Sequence, residues 1–257
     1  MPKTVDKVTA VTPPSLEVLA RDYPKGHLIA PHRHDGGQIV FARAGVMRVI
    51  TAAGAWVVPP QRAGWVPAGI EHSICCGSAV AMRTVYLHPA PVDRLGSVCA
   101  VAHVSPLLFE VLLRLVEGPC AAEQREHLVA LMLSELAAGP AAPLHLPEPL
   151  DPRLRRLASI LQAEPGDPRP LAAWAKQIGV SRRTLVRLFL AETGMTFRQW
   201  QRQLRLLVAL ERLAQEQPVT TVALELGYES VSAFISAFRR ALGVTPKRYF
   251  QKRREAP

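Results

Sequence analysis

No stretch of eighteen consecutive apolar residues occurs in this chain of 257 residues, which excludes an ordinary membrane-spanning helix. Cysteine is scarce: the four present form no C-x-x-C pair, which argues against a zinc ribbon and against a disulfide scaffold. Met1 to Asp6 is polar and charged where a secretory signal needs an apolar stretch, so the protein is expected in the cytoplasm, with no membrane partner. Disorder throughout is excluded as well, because apolar residues make up 49 % of the chain and charged ones only 20 %. What the sequence has in excess is positive charge, with 31 Lys and Arg against 21 Asp and Glu, a net of +10. A polyanionic partner follows from that imbalance.

The excess is confined to one end. Residues 1–150 hold 12 basic and 12 acidic side chains, which leaves 19 and 9, and the entire +10, for residues 151–257. Clustered Lys and Arg of this kind bind phosphates by releasing their counterions. Between the halves, Gly139 to Pro152 reads GPAAPLHLPEPLDP. Proline lacks the donor N–H and restricts its predecessor, so residues 139–152 are predicted to be an extended linker between domains.

The first half has short β-branched runs, among them Gln38–Ala42, Val46–Thr51, Trp56–Val58 and Met82–Leu87, broken by Gly and Pro. Residues 1–105 therefore read as a small antiparallel barrel or sandwich. Residues 106–138 follow with helical spacing in Pro106–Glu117 and Glu123–Ala138. Leu108, Leu112 and Leu115 share one face and Leu128 and Leu131 another, so these helices are expected to pack on the barrel or on a second subunit. Within the barrel, His32 and His34 are two apart and would face the same side of a strand. With His72 and the amide of Gln38 they form a candidate metal set, and imidazole ligands suit zinc, nickel, iron or copper. The alternative is a metal-free polar lining that binds an organic effector directly. Gly26, His32, His34, Gln38 and Gly45, followed by Pro67, Gly69 and His72, resemble the two cupin motifs. Gln38 stands where glutamate is usual and Gln61 where the second motif starts with glycine, and a neutral amide binds a divalent ion less tightly.

The second half contains an internal repeat. Leu171–Phe197 and Thr220–Pro246 each read as helix, glycine turn, helix, with Gly179 aligned on Gly227, and Leu185 and Phe189 aligned on Phe234 and Phe238. In the first copy, Ser181 is placed to cap the second helix. That helix has Leu185, Leu188 and Phe189 on one side and Arg182, Arg183, Val186 and Arg187 on the other, the division a major-groove helix requires. Thr196 to Gln215 reads as one connecting helix, with Arg198, Arg202, Arg205 and Arg212 in a stripe.

These residues resemble the AraC/XylS family of bacterial transcription regulators, through Ala223, Leu226-Gly227-Tyr228, Phe234, Phe238-Arg239-Arg240, Gly243, Thr245-Pro246 and Tyr249. The resemblance covers about 100 residues closely and the barrel weakly. It implies an α+β multidomain protein: a cupin-like β-barrel with two following helices, then an all-α double helix-turn-helix domain over residues 153–257. It also implies binding to double-stranded promoter DNA, a small-molecule or metal effector, a homodimer, and RNA polymerase as a partner if the protein activates. Carried onto this sequence, Arg183, Val186 and Arg187 approach base edges and Arg182 a phosphate. In the second copy Val231, Ser232, Ile235 and Ser236 occupy the reading positions, with Arg239 on the same helix. Dimerisation falls to Leu108, Leu112, Leu115, Leu128 and Leu131.

Two functions compete. One is a regulator in which the barrel senses and the repeats bind DNA. The other is a metal-dependent cupin enzyme, an oxygenase or isomerase, fused to a helical domain. An enzyme gives no reason for a net +10 on a duplicated helix-turn-helix, so the regulator is favoured and no catalytic residue is assigned.

Overall fold

The computed structural model describes residues 15–139 and 143–251, so Met1 to Asp6 and linker residues 140–142 lie outside the described residues. The first half folds as strands β1 (Ser15–Tyr23), β2 (Leu28–His32), β3 (Gly37–Ala44), β4 (Met47–Thr51) and β5 (Gly54–Val58). They continue as β6 (Arg62–Val66), β7 (His72–Cys76) and β8 (Val80–His88), then a short helix α1 (Val92–Leu95) and β9 (Ala100–His103). Helices α2 (Pro106–Glu117) and α3 (Ala122–Ala138) follow, and then one further strand, β10 (His145–Pro147). Every pairing is antiparallel, in two five-stranded sheets ordered β1-β8-β3-β6-β9 and β10-β5-β4-β7-β2. The predicted barrel is therefore a two-sheet, jelly-roll-like barrel.

Alternation along β3 explains why two helices follow the barrel. Val40 and Ala42 point between the sheets, whereas Ile39 and Phe41 point out of the first sheet, together with Trp65, Val85 and Leu87. That outer apolar face needs cover, and Leu108, Leu112 and Leu115 of α2 with Val129, Met132 and Leu133 of α3 supply it. Ser105 starts the layer: its Oγ accepts from the Leu108 amide at 3.1 Å and donates to Glu135 of α3 at 2.7 Å. The leucine stripe read as a dimer contact is thus corrected. Leu108, Leu112 and Leu115 are buried within the chain, Leu128 is half-buried, and Leu131 alone of the five is exposed, at 37 %.

The linker reading is corrected too. Its described part is not a free connector, since β10 joins the edge of the second sheet with His145 opposite Trp56 and Pro147 opposite Gly54. Leu144, Leu146 and Pro147 are buried. An edge strand tolerates proline because one side of its ladder stays unpaired, so a proline-rich stretch can serve as strand here.

The second half is helical: α4 (Pro152–Ala163), α5 (Leu171–Gln177), α6 (Arg182–Thr193), α7 (Phe197–Ala214), α8 (Val219–Glu225), α9 (Val231–Leu242) and α10 (Pro246–Gln251). Helix α7 is the long connector expected from the sequence, opened by a capping box between Thr196 and Gln199. It also meets the barrel. Trp200 Nε1 donates to the Pro147 carbonyl at 2.9 Å, and Arg48 of β4 donates twice to Glu211, at 2.9 and 2.7 Å. Gln215, just past α7, donates to the Gly77 carbonyl beyond β7, and Tyr249 of α10 donates to the Pro60 carbonyl. Helices and barrel thus share one continuous core.

Leu112→Ala should destabilise the protein by about 2–5 kcal/mol, the cost of a buried leucine cavity, while leaving the oligomeric state unchanged. Urea unfolding and sedimentation equilibrium measure the two; a change in subunit number would put Leu112 back in a dimer contact.

Candidate functional site

The three histidines come together at one end of the barrel. His32 closes β2 and pairs directly with His72, the first residue of β7. His34 is not on a strand, as the sequence suggested, but lies two residues beyond the end of β2. Its position is fixed by the Pro67–Ile70 turn, where the Gly69 amide donates to the His34 carbonyl at 2.8 Å. Gly69 has φ +74°, the left-handed conformation glycine adopts without cost, which gives the P-x-G part of the motif its physical role. The ring centroids lie 4.7 Å (His32–His34), 4.4 Å (His32–His72) and 5.2 Å (His34–His72) apart, and a ligating atom from each ring lies within 4.8 Å of the others.

Hydrogen bonds settle which nitrogen faces inward. His32 Nδ1 lies 2.7 Å from the Ala30 carbonyl and His72 Nδ1 2.9 Å from the Ile70 carbonyl. A carbonyl only accepts, so both Nδ1 atoms carry a proton, which leaves Nε2 as the atom each neutral ring offers to a ligand. This is the orientation that metal-binding imidazoles receive from their outer hydrogen bonds. Burial, followed by the neighbouring rings of His32, His72 and His88, lowers the pKa of His34 to about 4. Burial also lowers that of His72, the bond to Ile70 opposing it and His32 adding to it. Both rings are neutral at pH 7, as a ligand must be.

The remaining polar groups come from the opposite sheet. Gln38 on β3 is 1 % exposed, and its Nε2 donates to the Tyr86 hydroxyl at 3.3 Å. Tyr86, its register partner on β8, packs edge-on against His34 with centroids 4.8 Å apart. Sequence reasoning missed Tyr86, although the signal was there. Val80, Met82, Thr84, Tyr86 and His88 share one face of β8, and that face turns from apolar to polar along the strand. Six buried side-chain atoms lack a hydrogen-bond partner among the described residues, and four of them line this barrel: His34 Nε2, His72 Nε2, Gln38 Oε1 and Thr84 Oγ1. Such atoms cost free energy unless a ligand satisfies them, so their concentration in one place marks a binding site. Cys75 and Cys76 do not join the histidine cluster.

A second surface lies on the helical half. Ser181 caps α6 by accepting from Thr184 at 3.0 Å, and Leu185 and Phe189 bury its inner face. Arg182, Arg183, Val186 and Arg187 are exposed, and Leu190, which the sequence reading passed over, joins them at 48 % exposure. On α9, capped by Ser230, Phe234 and Phe238 are buried while Ser232, Ser236 and Arg239 are exposed. Val231 and Ile235 are half-buried against the core, which limits how far they reach outward. Arg182, Arg183, Arg187 and Arg239 form no ion pair among the described residues. Two arginines of the α7 stripe have other work: Arg205 donates to the Pro165 carbonyl at 2.9 Å, and Arg212 pairs with Glu225 of α8.

Comparison with known proteins agrees with this geometry. Residues 13–173 match the family described as the AraC-like ligand binding domain, and residues 174–252 match a helix-turn-helix domain family. The HTH-type transcriptional regulator NimR of Escherichia coli (strain K12) is 34 % identical over 224 residues, 86 % of this chain and 82 % of that protein. The HTH-type transcriptional regulator RipA of Corynebacterium diphtheriae is 37 % identical over 116 residues, 45 % of this chain and 34 % of its own. A crystal structure of ToxT from Vibrio cholerae O395 is 12 % identical with a TM-score of 0.41, covering 94 % of this chain and 99 % of that one.

Thr84→Val, which removes an unpaired buried hydroxyl, should stabilise the ligand-free protein by about 1 kcal/mol. Urea unfolding of chelator-treated protein checks this, and a loss of stability would mean that the hydroxyl is satisfied after all.

Proposed function

The chain belongs to the AraC-type family of helix-turn-helix transcription regulators, and from that premise we propose that its barrel senses through a transition-metal ion held by His32, His34 and His72, with Gln38 as a fourth ligand. The observation that carries the reading is the convergence of three imidazoles, two of them with Nδ1 fixed on a carbonyl, in an interior with unpaired polar atoms. Zinc, nickel, iron and copper all suit that donor set. Such an ion would supply an open coordination position for an effector, or would itself be the signal. What supports a sensor over an oxygenase or isomerase is that the second sheet grips the helix on which both helix-turn-helix units hang.

On promoter DNA, α6 is the main reading helix, with Arg183, Val186 and Arg187 toward base edges and Arg182 toward phosphate. Helix α9 contributes Ser232, Ser236 and Arg239 more than the half-buried Val231 and Ile235. Eighteen residues of α7 span about 27 Å at about 1.5 Å each, close to the separation of about 34 Å between successive major-groove faces. A homodimer would form through the outer side of α3 around Leu131, since the inner leucines are used within the chain. RNA polymerase joins the partners if the protein activates. No described helix is long and apolar enough to cross a membrane, and the proposed site of action is the cytoplasm, where promoter DNA is found.

The route from sensor to reader is short. Strand β7 starts at His72 and leads to Gly77, whose carbonyl accepts from Gln215, while the neighbouring β4 carries Arg48 onto Glu211. Occupancy of the histidine cluster thereby bears on the seating of α7.

Metal analysis by mass spectrometry, on protein purified without chelator or nickel affinity, should find about one ion per chain, lost in His32→Ala and in His72→Ala. Wild-type protein that stays metal-free after reconstitution with each of the four metals would end the metal reading. Arg187→Ala should weaken binding to an operator selected from random duplexes by about 1–3 kcal/mol. An equal loss on scrambled DNA would make Arg187 a phosphate contact. Arg48→Glu should uncouple operator affinity from metal loading, and adding Glu211→Arg should restore the coupling. Titrations with and without metal decide this, and a single variant that responds like wild type sinks the proposed route.

A further inference from the structure

We infer that the effector recognised by this barrel is a small anion with an oxygen donor, a carboxylate or its chemical equivalent, held between the ion at His32, His34 and His72 and the hydroxyl of Tyr86. The inference rests on the metal reading above and deepens it.

Charge balance is the first ground. The groups that meet in the barrel interior are three imidazoles, the amide of Gln38 and the hydroxyls of Thr84 and Tyr86, and none of them is an anion. A divalent ion bound by this set keeps its full double charge where His72, Gln38 and Thr84 are buried and His32, His34 and Tyr86 are half-buried, which is unfavourable unless a counter-charge arrives. A carboxylate at position 38 would cancel half of it, whereas Gln38 cancels none. The nearby acids do not take its place. Among the described residues no carboxylate joins the histidine cluster. Asp35 is exposed, and its pull on His34 is the weakest of the influences on that ring. Glu71 is exposed and paired with Arg33 at 3.0 Å.

Hydrogen bonding is the second ground. The Tyr86 oxygen accepts from Gln38 Nε2 at 3.3 Å, which leaves the phenol proton free to donate, and the Tyr86 ring packs on His34 beside the cluster. Gln38 thus serves twice, with Oε1 unpaired in the interior and Nε2 holding Tyr86 in place. His88, two residues beyond Tyr86 on the same face of β8, adds a polar group on that side. A charge-assisted bond from a phenol to a bound oxyanion is stronger than one to a neutral oxygen, so this arrangement separates an anion from its neutral isostere.

The full-length protein loaded with cobalt(II) offers a direct test, because the visible ligand-field bands of cobalt report what enters its coordination sphere. Acetohydroxamate and acetate should shift those bands saturably, and acetamide, the neutral isostere of acetate, should not. Tyr86→Phe, at saturating cobalt, should weaken acetohydroxamate by about tenfold, the worth of one hydrogen bond to a charged group. Gln38→Glu should bind cobalt more tightly and the anion at least about tenfold more weakly, because the site then carries its own counter-charge. A spectrum that neither anion moves, or that acetamide moves equally, overturns the anion proposal and leaves the metal reading standing. Failure of the wild-type protein to bind cobalt and each of zinc, nickel, iron and copper overturns both.

Discussion

The seating of α7 on the second sheet of the barrel is the constraint on which the rest of this molecule depends. One helix supplies the spacing between two reading helices, buries Trp200, Leu204, Leu207 and Leu210 in the core, and receives the bidentate Arg48–Glu211 pair on its barrel side. The pair is partly shielded, with 30 % and 16 % of the two side chains exposed, so it is screened less than a surface ion pair and its geometry is fixed by two bonds. The Trp200 indole adds a bond to the Pro147 carbonyl, which ties β10 to the same helix. A shift in the second sheet therefore cannot leave α7 unaffected without breaking one of these contacts. Packed elements move between discrete arrangements rather than bending continuously, which suits a regulator with two states.

The barrel interior is not packed for stability throughout, and the exception lies at the proposed site. A sheet pair of this kind usually fills its interior with apolar side chains, and the end formed by Ala42, Val46, Met47 and Met82 does so. The other end holds histidines, an amide and hydroxyls, with unpaired atoms on four of those residues. The rest of the fold supports this cost: Gly69 fixes the His34 loop, two backbone carbonyls orient His32 and His72, and the α2–α3 layer seals the outer face of the first sheet. Local unsatisfied polarity held by a well-packed surround is the usual mark of a site that waits for a ligand.

Much of this was legible in the sequence, and the reasons differ from element to element. The helical repeat was legible because its termini carry their own chemistry: Ser181 caps α6 as its hydroxyl predicts, and the structure adds caps the sequence reading had not singled out, at Ser105, Thr196, Gly194 and Gly243. The histidine cluster was legible from its spacing, although only His32 and His72 meet on paired strands and His34 is brought beside them by the Pro67–Ile70 turn. Two features were not. The proline-rich stretch reads as a linker by any local rule, and only the unpaired edge of β5 makes a strand of it. The leucines of α2 and α3 have the periodicity of a buried face, but periodicity does not say which surface covers them, and here the outer side of the first sheet takes them. Tyr86 needed the inward face of β8 to be read as a unit, which a search for metal-ligand spacing does not do.

The two helix-turn-helix units arise from one plan but present different chemistry. Each has a helix closed by a glycine at positive φ, Gly179 or Gly227, then a serine cap, Ser181 or Ser230, and a second helix anchored by Leu185 and Phe189 or by Phe234 and Phe238. The anchoring positions correspond, so the outward positions also correspond. Those on α6 carry three arginines with no ion pair among the described residues, and those on α9 carry serines and half-buried Val231 and Ile235, with one such arginine, Arg239, a turn further on. Arginine reaches base edges with two parallel bonds, whereas short side chains bring the backbone close and respond to methyl groups and groove shape. The scaffold is duplicated while the outward surfaces diverge, which is the ground for proposing α6 as the main reading helix, with α7 setting the spacing between the two units.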